Sequence, residues 1–160
     1  MGTGKTTVGR LLAKKQGLNF VDLDELIELK EQRRIVDIFA KDGELVFRKI
    51  EKKILKSVST QKKFVVACGG GIVLDKDNVK LMKKTGTLIC LCANSNTILK
   101  RVSFSTHRPI LNVDKPKERI ELLLKMRAGY YAQADKTIDT SALSVKQVVN
   151  KISKILTSKK

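Results

Sequence analysis

The sequence predicts a single α/β domain, residues 1–160, in which a parallel sheet is covered on both faces by helices. Three observations carry this. Short apolar runs alternate with longer segments of helical periodicity, the signature of strands joined by crossover helices. The chemically suggestive pieces, Lys5-Thr6, Asp22-Leu23-Asp24 and Gly69-Gly70-Gly71, fall at strand ends or helix starts, where such sheets bind ligands. A hydrophobic content of 42% over 160 residues is enough for one sizeable core. No repeat, low-complexity tract or linker divides the chain, and its only prolines are Pro109 and Pro116.

The elements follow in order. Residues 5–16 carry Val8, Leu11 and Leu12 at helical spacing and stop at Gly17, a suitable left-handed residue after a helix. Residues 19–22 (NFVD) read as a short strand. Residues 23–32 and 35–41 are short helical pieces, and Gly43 opens a longer helix to about Val58 with Phe47, Ile50, Ile54 and Val58 as its buried stripe. Residues 62–67 (KKFVVA) form a second strand, residues 78–84 a helix, and residues 87–91 (TLICL) a third strand. Asn94 or Ser95 caps a helix to Val102, residues 103–114 form a loop or lid, and Pro116 starts a helix at its first position that runs to about Ala134. Residues 137–139 make a last strand and residues 145–156 a last helix.

Composition removes several function classes. No apolar run spans a membrane and the N-terminus lacks the apolar core of a secretory signal, so a soluble, cytoplasmic protein is expected. Cys68, Cys90 and Cys92 read as reduced core cysteines, since a zinc site needs four ligands at recognisable spacing and the only histidine, His107, lies far along the chain. The net charge of +17 invites a nucleic-acid reading. Yet 25 of the 33 basic residues are lysines, and Lys49, Lys52, Lys53 and Lys56 follow the spacing of one helix side. With aromatic residues at only 4%, a solvated lysine-rich surface outweighs a nucleic-acid footprint. The positive field would still attract anionic substrates.

Four constellations carry chemistry. Gly2-Thr3-Gly4-Lys5-Thr6 matches the second part of a phosphate-binding loop, G-x-x-x-x-G-K-[ST], whose first glycine would lie two residues before Met1. In such a loop backbone N–H groups and a helix N-terminus cradle phosphates, the lysine reaches the β- and γ-phosphates, and the Thr6 hydroxyl ligates Mg²⁺. Asp22 and Asp24, leaving a strand tip, can divide metal holding from contact with a substrate hydroxyl, although Asp24 could instead simply cap the next helix. Gly69, Gly70 and Gly71 suggest close approach of a ligand or of another backbone segment, against the plainer reading of a flexible turn. Arginines are few, and Arg48, Arg108 and Arg127 stand where a planar fork could hold carboxylate or phosphate; each taken singly could equally be a surface ion pair.

In this order the motifs resemble shikimate kinase over essentially the whole chain: Thr3-Gly4-Lys5-Thr6-Thr7-Val8-Gly9, Phe20-Val21-Asp22-Leu23-Asp24, Phe47-Arg48 with Glu51, the glycine triplet, Arg108-Pro109-Ile110-Leu111, and Arg127 with Tyr131. The resemblance implies a three-layer P-loop NTPase sandwich with sheet order 2-3-1-4-5. It implies substrate-binding helices over about 23–58, a lid over about 103–114, and phosphorylation of shikimate from ATP with Mg²⁺ by a monomer. The implied nucleotide-binding residues are Gly2, Thr3, Gly4, Lys5, Thr6, Thr7, Arg101 (packed on adenine) and Arg108; Thr6 and Asp22 hold the metal. Asp24, Arg48, Gly69, Gly70, Gly71 and Arg127 bind shikimate, Phe39 and Phe47 form an apolar wall under its ring, and Lys5, Asp24 and Arg108 carry catalysis. Gly129, where the family usually has proline, and Cys68, where threonine is common, depart from the pattern.

The family's central first strand has no counterpart in this sequence. Its absence would leave two inner strands each short of a partner, so the chain as written is expected to fold poorly or be inactive, with a native start upstream. The competing readings are an inactive remnant or nucleotide-binding module, and a related sugar-acid kinase such as gluconate kinase, which Arg48 and the triple glycine disfavour.

Overall fold

In the computed structural model, residues 2–103 and 114–158 are described. Helix α1 (Lys5–Gln16) starts at Gly4 in a left-handed conformation (φ 88°) and ends at Gly17 (φ 64°), whose N–H turns back to the carbonyls of the last turn, as expected of that glycine. Strand β1 (Asn19–Asp22) leads into α2 (Leu23–Glu31), and α3 (Ile35–Ser59) follows. At Gly43 (φ 81°, ψ 171°) the α3 ladder is broken by a conformation only glycine adopts freely, so α3 is two helices end to end, as the sequence predicts. Strand β2 (Phe64–Ala67), α4 (Lys76–Thr85), β3 (Ile89–Cys92), α5 (Ser95–Val102), α6 (Pro116–Tyr131), β4 (Lys136–Asp139) and α7 (Val145–Thr157) complete the order.

Alternation along β2 shows the layering. Val65 packs with α1 and α7 around Val8, Leu12, Val148 and Ile152, while Val66 packs with the α2–α4 core of Leu23, Ile27, Phe47 and Ile54. Helices therefore cover both faces. A third cluster joins α5 to α6 through Ile98, Val102 and Ile120.

The strands pair in parallel as β1 with β2 and β3 with β4, in two separate ladders (Asp22 opposite Ala67; Cys92 opposite Asp139). The parallel strands between covering helices agree with the predicted class, and among the described residues the inner strands β2 and β3 each have a ladder partner on one side only. An apolar cavity of about 490 Å³, lined by Cys68, Ile72, Ile89, Leu91 and Tyr131, lies against β3 and extends to Thr3 and Lys5.

Several boundaries shift for local reasons. Helix α4 begins earlier than expected because the Asp75 carboxylate caps it, accepting N–H bonds from Asp77 and Asn78 at 2.7 and 3.4 Å. A single 3₁₀ turn, Ile72–Leu74, follows the glycine triplet and has no periodicity to betray it. Lys63 takes a left-handed φ of 63° and so delays β2 to Phe64. Asn94, of the two proposed caps, is the one that caps α5, accepting from the Thr97 N–H at 2.8 Å. Of the lysine face on α3, Lys52 is not merely solvated, since it bridges Asp75 and Asp77 at 2.9 and 2.8 Å.

Candidate functional site

The loop before α1 is shaped to present N–H groups. Gly2 and Gly4 both adopt left-handed φ values, 64° and 88°, and a Cβ at Gly2 would meet Val102 at 2.9 Å. Lys5, Thr6 and Thr7 form the first turn of α1, which carries no acidic residue to oppose its positive end. Thr3 is buried. These residues line a cavity of about 330 Å³ together with Arg101, Thr140 and Leu143.

Asp22 joins this loop to the acid motif. Its Oδ2 accepts the Thr6 hydroxyl at 2.7 Å and its Oδ1 accepts the Asp24 N–H at 3.0 Å. Asp22, and not Asp24, is therefore the cap of α2, which leaves the Asp24 side chain free of that task. Among the described residues no cluster of three or more His, Cys, Asp or Glu side chains could cage a metal ion. The Thr6–Asp22 pair instead suits Mg²⁺ held by one or two protein oxygens and completed by phosphates and water.

Asp24, Glu51 and Arg48 converge on the glycine triplet. A Cβ at Gly69 would lie 2.9 Å from Asp24 Oδ1 and 3.2 Å from Glu51 Oε1; one at Gly71 would lie 2.6 Å from Arg48 Nη1 and 2.7 Å from its Cζ, and closer still to Nη2. At Gly69 and Gly71 the close approach is thus by side chains, whereas the sequence suggested a ligand or another backbone segment. Arg48 donates to the buried Glu51 at 2.8 Å and to the exposed Glu44 at 2.9 Å, and its guanidinium lies 5.1 Å from the centre of the Phe47 ring. Phe39 and Phe47 stand in tilted contact, centroids 4.7 Å apart.

Solvent reaches Asp24, yet its carboxylate faces protein on the glycine side. Burial there, and then the Asp22 charge, push its pKa up, with Lys5 pulling it part of the way back. Burial likewise raises Glu51, against the opposing effect of Arg48. Desolvation works against the Arg48 charge, but its bonds to Glu51 and Glu44 outweigh it and hold its pKa above the usual value. The Cys68 thiol is pushed up to about 12 by burial and remains a neutral wall residue.

On the far side, α6 ties to the triplet through Tyr131, whose hydroxyl donates to the Gly70 carbonyl at 3.1 Å. Arg127 sits one turn earlier, on the same helix face, and among the described residues it has no ion-pair partner. Arg101 extends from the last turn of α5 to Thr140 and the loop backbone, at the rim of the 330 Å³ cavity. Arg108, with residues 104–113 of the expected lid, lies outside the described residues. Two supporting residues belong to no sequence motif. Glu44 stands at i, i+4 spacing from Arg48, a signal that was present but unremarkable, and Thr140 is one threonine after a strand, with no motif around it.

Comparison with known proteins gives consistent results. The shikimate kinase family model matches residues 1–157. The chain is 47% identical over 154 residues to the shikimate kinase of Thermodesulfovibrio yellowstonii, covering 96% of this chain and 89% of that one. It is 42% identical to the shikimate kinase of Persephonella marina over 95% and 92% of the two chains. Among solved structures it is similar to the shikimate kinase from Acinetobacter baumannii in complex with shikimate, with a TM-score of 0.94 at 36% identity, covering 100% of this chain and 90% of that one.

Proposed function

The chain belongs to the shikimate kinase family, and from that premise we propose how its own residues move the γ-phosphoryl group of ATP onto a shikimate hydroxyl, giving shikimate 3-phosphate and ADP. The observation that carries the assignment is one connected set of contacts. Thr6 bonds Asp22, Asp22 bonds the Asp24 backbone, Asp24 abuts Gly69, and Arg48 abuts Gly71, so phosphate loop and acid-binding side share one wall.

Phosphoryl transfer asks mainly for positioning and charge neutralisation. The backbone of Gly2, Thr3, Gly4, Lys5, Thr6 and Thr7 receives the phosphates, Lys5 reaches toward the transferred group, and Arg101 lies against the adenine. Thr6 and Asp22 would hold Mg²⁺, which when bound neutralises phosphate charge. Asp24 orients the attacking hydroxyl and accepts its proton. A carboxylate raised above its ordinary pKa is a better base for that transfer than an unperturbed one.

Arg48 and Arg127 clamp the shikimate carboxylate. Glu51 stays as the buried anchor of Arg48, while the exposed Glu44 is the partner that the incoming carboxylate replaces. The triplet's backbone and the Phe39–Phe47 wall bound the ring. Arg108 completes the neutralisation of the transferring phosphoryl group. Among the described residues no helix is long and apolar enough to cross a membrane, in keeping with a cytoplasmic setting for this reaction.

The test is a coupled assay of ADP release with shikimate, with gluconate and with neither, on the 160-residue chain and on a form extended upstream, with Lys5→Met as control. Turnover that requires shikimate and Lys5 is expected of the extended form. ATP binding by that form without shikimate-dependent turnover, or equal turnover with gluconate, would overturn the assignment.

A further inference from the structure

We propose that Thr140 is a positioning residue of the nucleotide site: it fixes the plane of the Arg101 guanidinium at the cavity rim and ties that arm to the phosphate loop. Thr140 follows β4 and is 2% exposed. Its Oγ1 accepts from Arg101 Nη1 at 3.0 Å and its carbonyl accepts from Nη2 at 2.8 Å, so two bonds to one residue hold the planar guanidinium. The same hydroxyl donates to the Cys92 carbonyl at 3.0 Å, with the Thr3 carbonyl 3.4 Å away, and the Thr140 N–H bonds Cys92 at 2.9 Å. Arg101 Nη1 also lies 3.5 Å from the Gly2 carbonyl.

Arg101 is itself exposed, and an unrestrained side chain of that length gives up rotamer freedom when a ligand orders it. Thr140 imposes that order before the ligand arrives. The inference rests on the reading that Arg101 faces the base. A purely structural role, satisfying the Cys92 carbonyl at the end of β3, would affect every ligand alike.

Calorimetry with MgATP and with magnesium tripolyphosphate, which has phosphates but no base, separates the two. Ordering one long side chain is worth about three- to tenfold in affinity. Thr140→Val is expected to weaken MgATP by that factor and to leave tripolyphosphate and the KM for shikimate unchanged, with Thr140→Ser within about twofold of the parent. In an Arg101→Ala background Thr140→Val should add nothing further. Equal weakening of ATP and tripolyphosphate, or no effect on ATP, overturns the proposal. Should Thr140→Val not fold, Arg101→Lys reads the same point: it keeps the charge but cannot make the two-bond fork, and parental ATP affinity in it overturns the proposal too. If Arg101→Ala binds ATP like the parent, the placement of Arg101 at the base is what fails.

Discussion

Gly71→Ala tests the acid clamp with a single methyl group. The backbone at Gly71 (φ −90°, ψ −12°) suits alanine, so no strain arises there. The new Cβ, however, would stand 2.6 Å from Arg48 Nη1 and 2.7 Å from Cζ, and the guanidinium, being the far end of a flexible side chain, is what moves. Two terms then set stability. Loosening the Arg48–Glu51 bond costs on the order of 1 kcal/mol, since Arg48 is 27% exposed and retains Glu44. Replacing glycine by alanine returns about 0.4–1 kcal/mol by restricting the unfolded chain. The sum is near zero, so the melting temperature should move by no more than a few degrees. Function does not share this cancellation. A displaced guanidinium loses a charge-assisted bond to the substrate carboxylate, about 1.5–3 kcal/mol, or ten- to over a hundredfold in kcat/KM for shikimate. The KM for ATP should hold. The measurement is steady-state kinetics with each substrate varied, beside a thermal melt. Parental kcat/KM for shikimate, or equal losses for both substrates, would refute the role given to Gly71 and Arg48.

Three further outcomes are expected. Glu28→Gln removes a negative charge that helps raise the Asp24 pKa while its amide oxygen can keep the bond to the Ile35 N–H; the acidic limb of the kcat/KM profile should therefore move to lower pH, and a limb that moves to higher pH would count against Asp24 as its source. The sign for stability is opposite to that of a salt-bridged acid: with its folded pKa raised, ionised Asp24 costs stability above that value, and the cost is relieved as pH falls through it. Asp22→Asn keeps the α2 cap but loses the anionic oxygen beside Thr6, so half-saturation by Mg²⁺ should rise about tenfold or more, read from activity against Mg²⁺ concentration. Gly9→Ala puts a Cβ 2.6 Å from the Phe20 ring and should cost about 1–3 kcal/mol in denaturant unfolding; unchanged stability would show that the ring has room to retreat.

What the sequence made legible followed from local chemistry. Gly4-Lys5-Thr6 and Gly17 bracket α1, and Gly43 marks the break in α3, because these positions demand conformations that only a few residue types supply. Parallel strand pairing was legible through the family resemblance. Less could be read where a role depends on contacts far apart in the chain. By sequence Asp24 could be the cap of α2, and only the bond from the Asp24 N–H to Asp22 gives that role to Asp22 instead. Thr140 bonds an arginine 39 residues away and sits over a loop 137 residues away, a relation no spacing rule contains. The glycine triplet announced a close approach but not its partners, which come from α2 and α3.

The anchoring of the phosphate loop also bears on how ligand and fold depend on one another. The loop is fastened to the end of β1 through Thr6 and Asp22, and to the residue after β4 through the Arg101–Thr140 arm. A nucleotide seated in that loop draws on both fastenings, so its binding counts toward the folded state, by about 2.7 kcal/mol at a hundred times its Kd.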